Sequence, residues 1–224
     1  MILEIIDAEV LGVIWLTIRM TFLSTIIASI IGIPLGLWLD NANFFGKRIV
    51  IIVNRTLMAS PPVVVGLVVY LLFMRNGVFG FLRLLFTFEA MVIAQVIILT
   101  PLICGIVYTA SRRNAEAIRA FALTMGANKS QQQMLIIKEL SNEIFFAIAA
   151  GYGRAMSEVG AIMIVGGNIR HHTRTMTTSI SLLRNRGEID TAIFLGIILM
   201  IIAFIVQMAA DFLRKRERRT DENY

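Results

Sequence analysis

Long apolar runs decide what this chain can become. A helix needs roughly 20 mainly apolar residues to cross a bilayer. Five stretches are predicted to do so, at about 11–39, 49–73, 88–111, 142–165 and 191–213. Because 57% of the 224 residues are hydrophobic, the spans consume most of the chain and leave no room for a separate soluble domain. The expected fold is therefore an all-α, multi-pass membrane protein. Residues 1–10 form a short N-terminal segment, acidic and without the basic start of a cleaved signal peptide. Residues 214–224 form a charged tail, expected to fray. Between the second and third spans, the connector 74–87 carries Phe-Leu-Arg-Leu-Leu-Phe, expected to lie along the interface as a short helix.

The net charge of +6 points to topology rather than to nucleic acid, because the basic residues gather at span ends. With the N-terminus outside, twelve of the 21 Lys and Arg residues fall in cytoplasmic segments and six in outer ones. The other three, Arg19, Arg55 and Arg154, lie within spans. That asymmetry favours an N-out, C-in arrangement. The lone Cys104 sits in an apolar run and predicts neither a disulfide nor a cysteine metal site.

The longest polar interruption, 112–139, is the most structured-looking part outside the spans. Ile118, Phe121, Ala122 and Met125 recur at helical spacing. Asn114 is placed to cap that helix, and Gly126 to end it in a left-handed turn. Ser130 and Gln133 have capping-box spacing for a second helix through Met134 and Ile137. A helical hairpin at a membrane surface is either a handle for a partner protein or a basic loop that sets topology.

Three groups are unusual for a membrane. Arg154 and Glu158 are four apart in the fourth span, on one face of a helix. A charge there costs about 2.5–3.5 kcal/mol on insertion scales, so the two belong either to a transport path or gate, or to a packing pair. Pro61 and Pro62, after Ser60, interrupt backbone hydrogen bonding within the second span. They mark a cavity-lining break or a kink. The outer segment after 166 carries Arg170, Arg174, Arg184 and Arg186 with Thr173, Thr175, Thr177 and Thr178. Arginine forks and hydroxyls suit an oxyanion; the alternative pairs the arginines with Glu188 and Asp190 or leaves them in water. Adjacent His171 and His172 are poorly placed to share a metal, so none is expected. Gly-Ala-Asn-Lys-Ser at 126–130 lacks the glycine before the lysine that a phosphate loop requires. No catalytic residue is expected, and a driven process would need a partner. The lack of an internal repeat argues against a secondary transporter, although a passive channel or a secondary anion transporter remains a rival reading.

The hairpin resembles the cytoplasmic loop of ABC-importer permeases, in which Glu-Ala-Ala, three residues, Gly, nine residues, Ile, one residue and Leu-Pro follow one another. Ala122, Gly126 and Ile136 match that spacing, while Phe121 and the ending Lys138 and Glu139 depart from it. Residues 151–169, GYGRAMSEVGAIMIVGGNI, are similar to the matching run of sulfate and molybdate permeases. They look closest to a tungstate-type branch, in which Val-Gly-Gly-Asn-Ile precedes Thr-Arg-Thr-Met-Thr-Thr, here 165–169 and 173–178. The runs starting at Gly32 and Ser60 resemble the same branch. The resemblance implies the type I ABC importer permease fold over residues 11–213, in the inner (cytoplasmic) membrane, with 112–139 as the coupling loop. It implies a homodimer, two cytoplasmic ATPase subunits that carry ATP and Mg, and an extracytoplasmic oxyanion-binding protein. Ala122, Gly126, Ala127 and Ile136 would then be the ATPase-coupling residues. The cargo would be tungstate, with molybdate or sulfate as the alternative.

Overall fold

The computed structural model describes residues 8–221, with side chains over 10–209 and at Asp211. All regular elements among these residues are helical. They are α1 (Ala8–Asn41), α2 (Lys47–Ala59), α3 (Pro62–Phe73), α4 (Phe88–Thr124), α5 (Lys129–Glu139), α6 (Ser141–Met156), α7 (Gly160–Gly166), α8 (Met176–Arg186) and α9 (Ile189–Asp221). The connector before α4 holds only a short 3-10 turn, Gly80–Leu82. Three helical stretches can cross a membrane alone: Val10–Asn41, Phe88–Thr124 and Ile189–Ala209. The predicted second and fourth spans are instead bent pairs, α2 with α3 at 102° and α6 with α7 at 60°. Counting each pair as one broken span gives the five expected.

The prolines account for the sharper bend. Ser60 is extended (ψ 140°) and so is Pro61 (ψ 126°), because a residue before proline is pushed out of the helical region. Pro62 then suits the first turn of a new helix, where no donor is needed. Pro101 has a milder effect: α4 runs through it for 37 residues. Helix α4 also runs past Asn114, which therefore caps nothing. The alanine-rich stretch there favours helix, and Ala115 and Ala122 are packed into the core.

Gly126 closes α4 as expected, at φ 75°. Its amide donates to Leu123 O at 3.0 Å and that of Ala127 to Ala122 O at 3.0 Å, the paired bonds of a Schellman ending. This ending leaves the chain ready to start again at once. Asn128 and Gln131 therefore form the capping box of α5, with bonds of 2.9 and 2.8 Å, two residues before the predicted Ser130 and Gln133. At the other terminus, α9 carries the helical backbone to Asp221, through most of the tail predicted to fray; the tail's side chains lie outside the described residues.

Helix α4 is the central post, with α1 packed along it. The approach is close at Gly36, where an added Cβ would lie 2.7 Å from Cys104 O, and at Gly32, 3.0 Å from Thr100 O. Small residues four apart let two membrane helices come together in this way. The core then runs from Ala28, Leu99 and Ile103 along α1 and α4 to Ala115, Ile136 and Leu140 in the hairpin. Overfilling a tight contact costs about 1–3 kcal/mol. Gly36→Val should lower the thermal unfolding midpoint in detergent, whereas Gly12→Val, with nothing within 4 Å, should leave it near wild type.

Candidate functional site

The two helix breaks meet. A Cβ on Gly66 of α3 would lie 2.6 Å from Ala161 Cα of α7, and one on Gly160 would lie 2.5 Å from Val63 Cγ2. The second halves of both bent pairs therefore run in backbone contact from their first turns. Ser60, Pro61 and Pro62 come to the same region as Ser157 and Glu158. Within the first of these breaks, the Ser60 hydroxyl donates to Leu57 O at 2.8 Å.

At the second break the chain's own side chains replace the missing helical bonds. Gln95 of α4, 1% exposed, donates to Ala155 O at 2.9 Å and accepts from Ser24 at 2.6 Å. Thr177 of α8 donates to Glu158 O at 2.9 Å. Glu158 Oε1 accepts from Ala161 N at 3.1 Å. From α1, Thr17 accepts from Met176 N at 2.9 Å and so fixes the start of α8. Thr17, Thr21, Ser24 and Thr25 form a buried hydroxyl face on α1, turned toward this break. Gln95 and this face are not among the residues expected from the sequence. Their signals were a single amide in an apolar run and hydroxyls spaced three and four apart.

The expected pairing of Arg154 with Glu158 does not form. Helix α6 ends at Met156, so the four-residue spacing no longer places them on one helical face. Arg154 is exposed, whereas Glu158 is 6% exposed and holds the first turn of α7.

The hydroxyls of the segment after 166 are also placed differently from expectation. Thr173 accepts from Ile169 N at 2.9 Å and donates to Gly166 O, closing the turn after α7. Thr175 and Thr178 are the capping box of α8. All of Thr173, Thr175, Thr177 and Thr178 are buried and bonded within the chain. Arg170, His171 and His172 are exposed, and Arg174 is half-buried. Among the described residues no cluster of three His, Cys, Asp or Glu could hold a metal.

At the opposite end, the hairpin divides its apolar residues into an inner and an outer set. Ala122 and Ile136 are buried within the chain, so they shape the hairpin rather than present it. Gly126 is exposed and Ala127 half-buried. Phe121 and Met125, which share helical spacing with Ile118 and Ala122, are turned outward, Met125 with 73% exposure; Leu123 and Met134 join them, Met134 at 76%. The hairpin thus carries an apolar knob that nothing among the described residues covers.

A three-dimensional plan of crossing helices, broken spans and a protruding hairpin can be compared with known families. The profile of the binding-protein-dependent transport system inner membrane components matches residues 32–219. The chain belongs to this family. It is a multi-pass cell-membrane protein with the type I ABC permease fold. Among the family's members, the tungstate uptake system permease protein TupB of Peptoclostridium acidaminophilum is 42% identical over 200 residues, covering 89% of this chain and 88% of its own. A probable anion ABC transporter permease protein of Haloferax volcanii is 37% identical, covering 88% and 86%. The TupB of Campylobacter jejuni is 34% identical, covering 75% and 71%. Sulfate and molybdenum transport permeases are more distant, at 24–26%.

In this family member, the side chains around the second break can be tested directly. Leaving buried polar groups unpaired costs about 1–3 kcal/mol each. Gln95→Leu removes both the bond to Ala155 O and the bond from the Ser24 hydroxyl, although each keeps a local backbone partner. It should lower the unfolding midpoint more than Ser24→Ala, which leaves the bond to Ala155 O in place. Equal midpoints for Gln95→Leu and wild type would show that this support is dispensable.

Proposed function

We propose that this chain is the membrane subunit of an ATP-driven tungstate importer. The observation that carries the reading is the 42% identity to a protein named as a tungstate uptake permease, sustained over 89% of this chain. Molybdate and sulfate are the alternatives within the class, being tetrahedral dianions of the same charge.

Two copies of the chain would enclose the path. Helix α2 supports this, because none of its residues is buried and its Ile49, Ile52, Val53 and Leu57 stand exposed. The paired breaks, with Ser60, Pro61, Pro62 and Glu158, are the natural lining of that path. Irregular backbone at membrane depth is tolerated where it is held by protein or faces a water-filled cavity. Arg154, exposed beside the break, would face the same route. At the outer mouth Arg170 and Arg174 would draw in the anion, while the neighbouring threonines keep their loop in shape.

The hairpin would dock on an ATPase subunit, with the termini arranged N-out and C-in. Phe121, Leu123, Met125 and Met134 offer the apolar anchors a soluble partner needs, and Gly126 with Ala127 form the turn between them. ATP and Mg would be held by that ATPase, so the chemistry of hydrolysis lies outside this chain. An extracytoplasmic binding protein would deliver the anion. ATP-driven closure of the ATPase dimer would move both hairpins, and the two copies would then exchange inward- and outward-open states.

Two measurements test this. Cells lacking the chain should lose tungsten accumulation at nanomolar supply, read by elemental mass spectrometry, with molybdenum and sulfur unchanged. Loss of molybdenum or sulfur instead would reassign the cargo. Introducing Asp at both Met125 and Met134 should abolish co-purification with the ATPase while the chain still inserts; unchanged co-purification would move the docking surface elsewhere.

A further inference from the structure

One buried charge is used neither by the paired breaks nor by the apolar knob of the hairpin. Asp40 lies in the last turn of α1, with its side chain only 1% exposed. A carboxylate at a helix C-terminus is electrostatically disfavoured, and burying it unpaired is costlier still. Its partners come from the hairpin. Asp40 Oδ2 accepts from Ser111 Oγ at 2.9 Å and from the Arg119 guanidinium at 2.8 Å. The same guanidinium nitrogen donates to Asn41 Oδ1. Asn41 in turn donates from Nδ2 to Gln133 Oε1 at 3.1 Å. Ser111 and Arg119 belong to α4 and Gln133 to α5, so the end of α1 is bonded to both arms of the hairpin. Lys47 donates to the backbone carbonyl of Asp40 at 3.0 Å and adds α2 to the same knot.

Beside this network, Leu37, Ala115, Ile136 and Leu140 pack together, with Ile118 against them. Apolar contact is non-directional. It holds the hairpin against α1 yet permits sliding, whereas a charge-assisted hydrogen bond, here from one guanidinium nitrogen to two neighbouring acceptors, fixes register. We infer that Arg119, through Asp40 and Asn41, latches the hairpin to α1. A displacement imposed on the hairpin is thereby passed to the first helix as well as along α4. Arg119 is a positioning residue and touches no cargo. The coupling part of this inference rests on the proposed docking of an ATPase at the hairpin; the latch itself does not.

The test has two arms. In the full-length chain in nanodiscs, Arg119→Gln should speed amide hydrogen exchange in 129–139 and leave 160–186 unchanged. Unaltered exchange in 129–139 would overturn the latch, whatever the transporter moves. In proteoliposomes holding the chain, its ATPase and its binding protein, the same variant should still hydrolyse ATP. Tungstate moved per ATP should fall about fivefold, within the range for changes along a coupling network. Unchanged stoichiometry, or uptake and hydrolysis falling together in an assembled complex, would overturn the coupling role. If Arg119→Gln fails to assemble, Asn41→Ala keeps the Arg119–Asp40 pair but removes the bonds from Arg119 and to Gln133, and the same readings apply. A wild-type complex that moves no tungstate would defeat the proposed function, while the exchange arm would still decide the latch.

Discussion

Hydrocarbon offers no hydrogen bonds, so every backbone group at membrane depth must find its partner within the protein. Much of this architecture follows from that one constraint. Continuous helices satisfy it on their own, and α1, α4 and α9 do so. The break between α6 and α7 cannot, and the chain answers it from three directions. Gln95 of α4 reaches Ala155 O, Thr177 of α8 reaches Glu158 O, and the Glu158 carboxylate takes the amide of Ala161. Gln95 is itself held by Ser24 of α1. A helix break of this kind binds its neighbours together, and the hydroxyl face of α1 is the other half of the same device.

The two ends of the molecule solve different problems. Where α1 begins, the chain closes tightly: α8 is capped by its own threonines and anchored to Thr17, and Val13, Met176 and Leu195 share a small core. Where α1 ends, a core that starts at membrane depth continues to Ile136 of the hairpin, while Met125 and Met134 are left facing outward. An inner set of apolar residues stiffens the hairpin and an outer set stays free for a partner. A rigid lever with an exposed tip suits a family whose members work as components of larger transport systems.

Much of this was legible from the residues. Hydropathy located the long apolar stretches, three of which are single helices able to cross a membrane and two of which are bent pairs, because the cost of exposing polar backbone leaves apolar helices as the simplest solution. The left-handed turn at Gly126 was legible because so few residues other than glycine accept a φ of 75°. The break after Met156 was not, since hydropathy registers composition and is blind to where a helical ladder stops. For the same reason Arg154 and Glu158 looked like neighbours on one face. The faces of the hairpin were half legible. A spacing of three and four gathers Ile118, Phe121, Ala122 and Met125, but the core reaches only Ile118 and Ala122. The pairing of Asp40 with Arg119 spans 79 positions, and no local pattern connects residues so far apart.

The role proposed for this chain is to form the path of an ATP-driven tungstate importer. Its most direct test is tungstate accumulation in proteoliposomes reconstituted with the chain, its ATPase and its binding protein. Accumulation that requires ATP, the binding protein and this chain together is the predicted result. Tungstate entry that proceeds equally without ATP would exclude that role and return the chain to the class of passive channels.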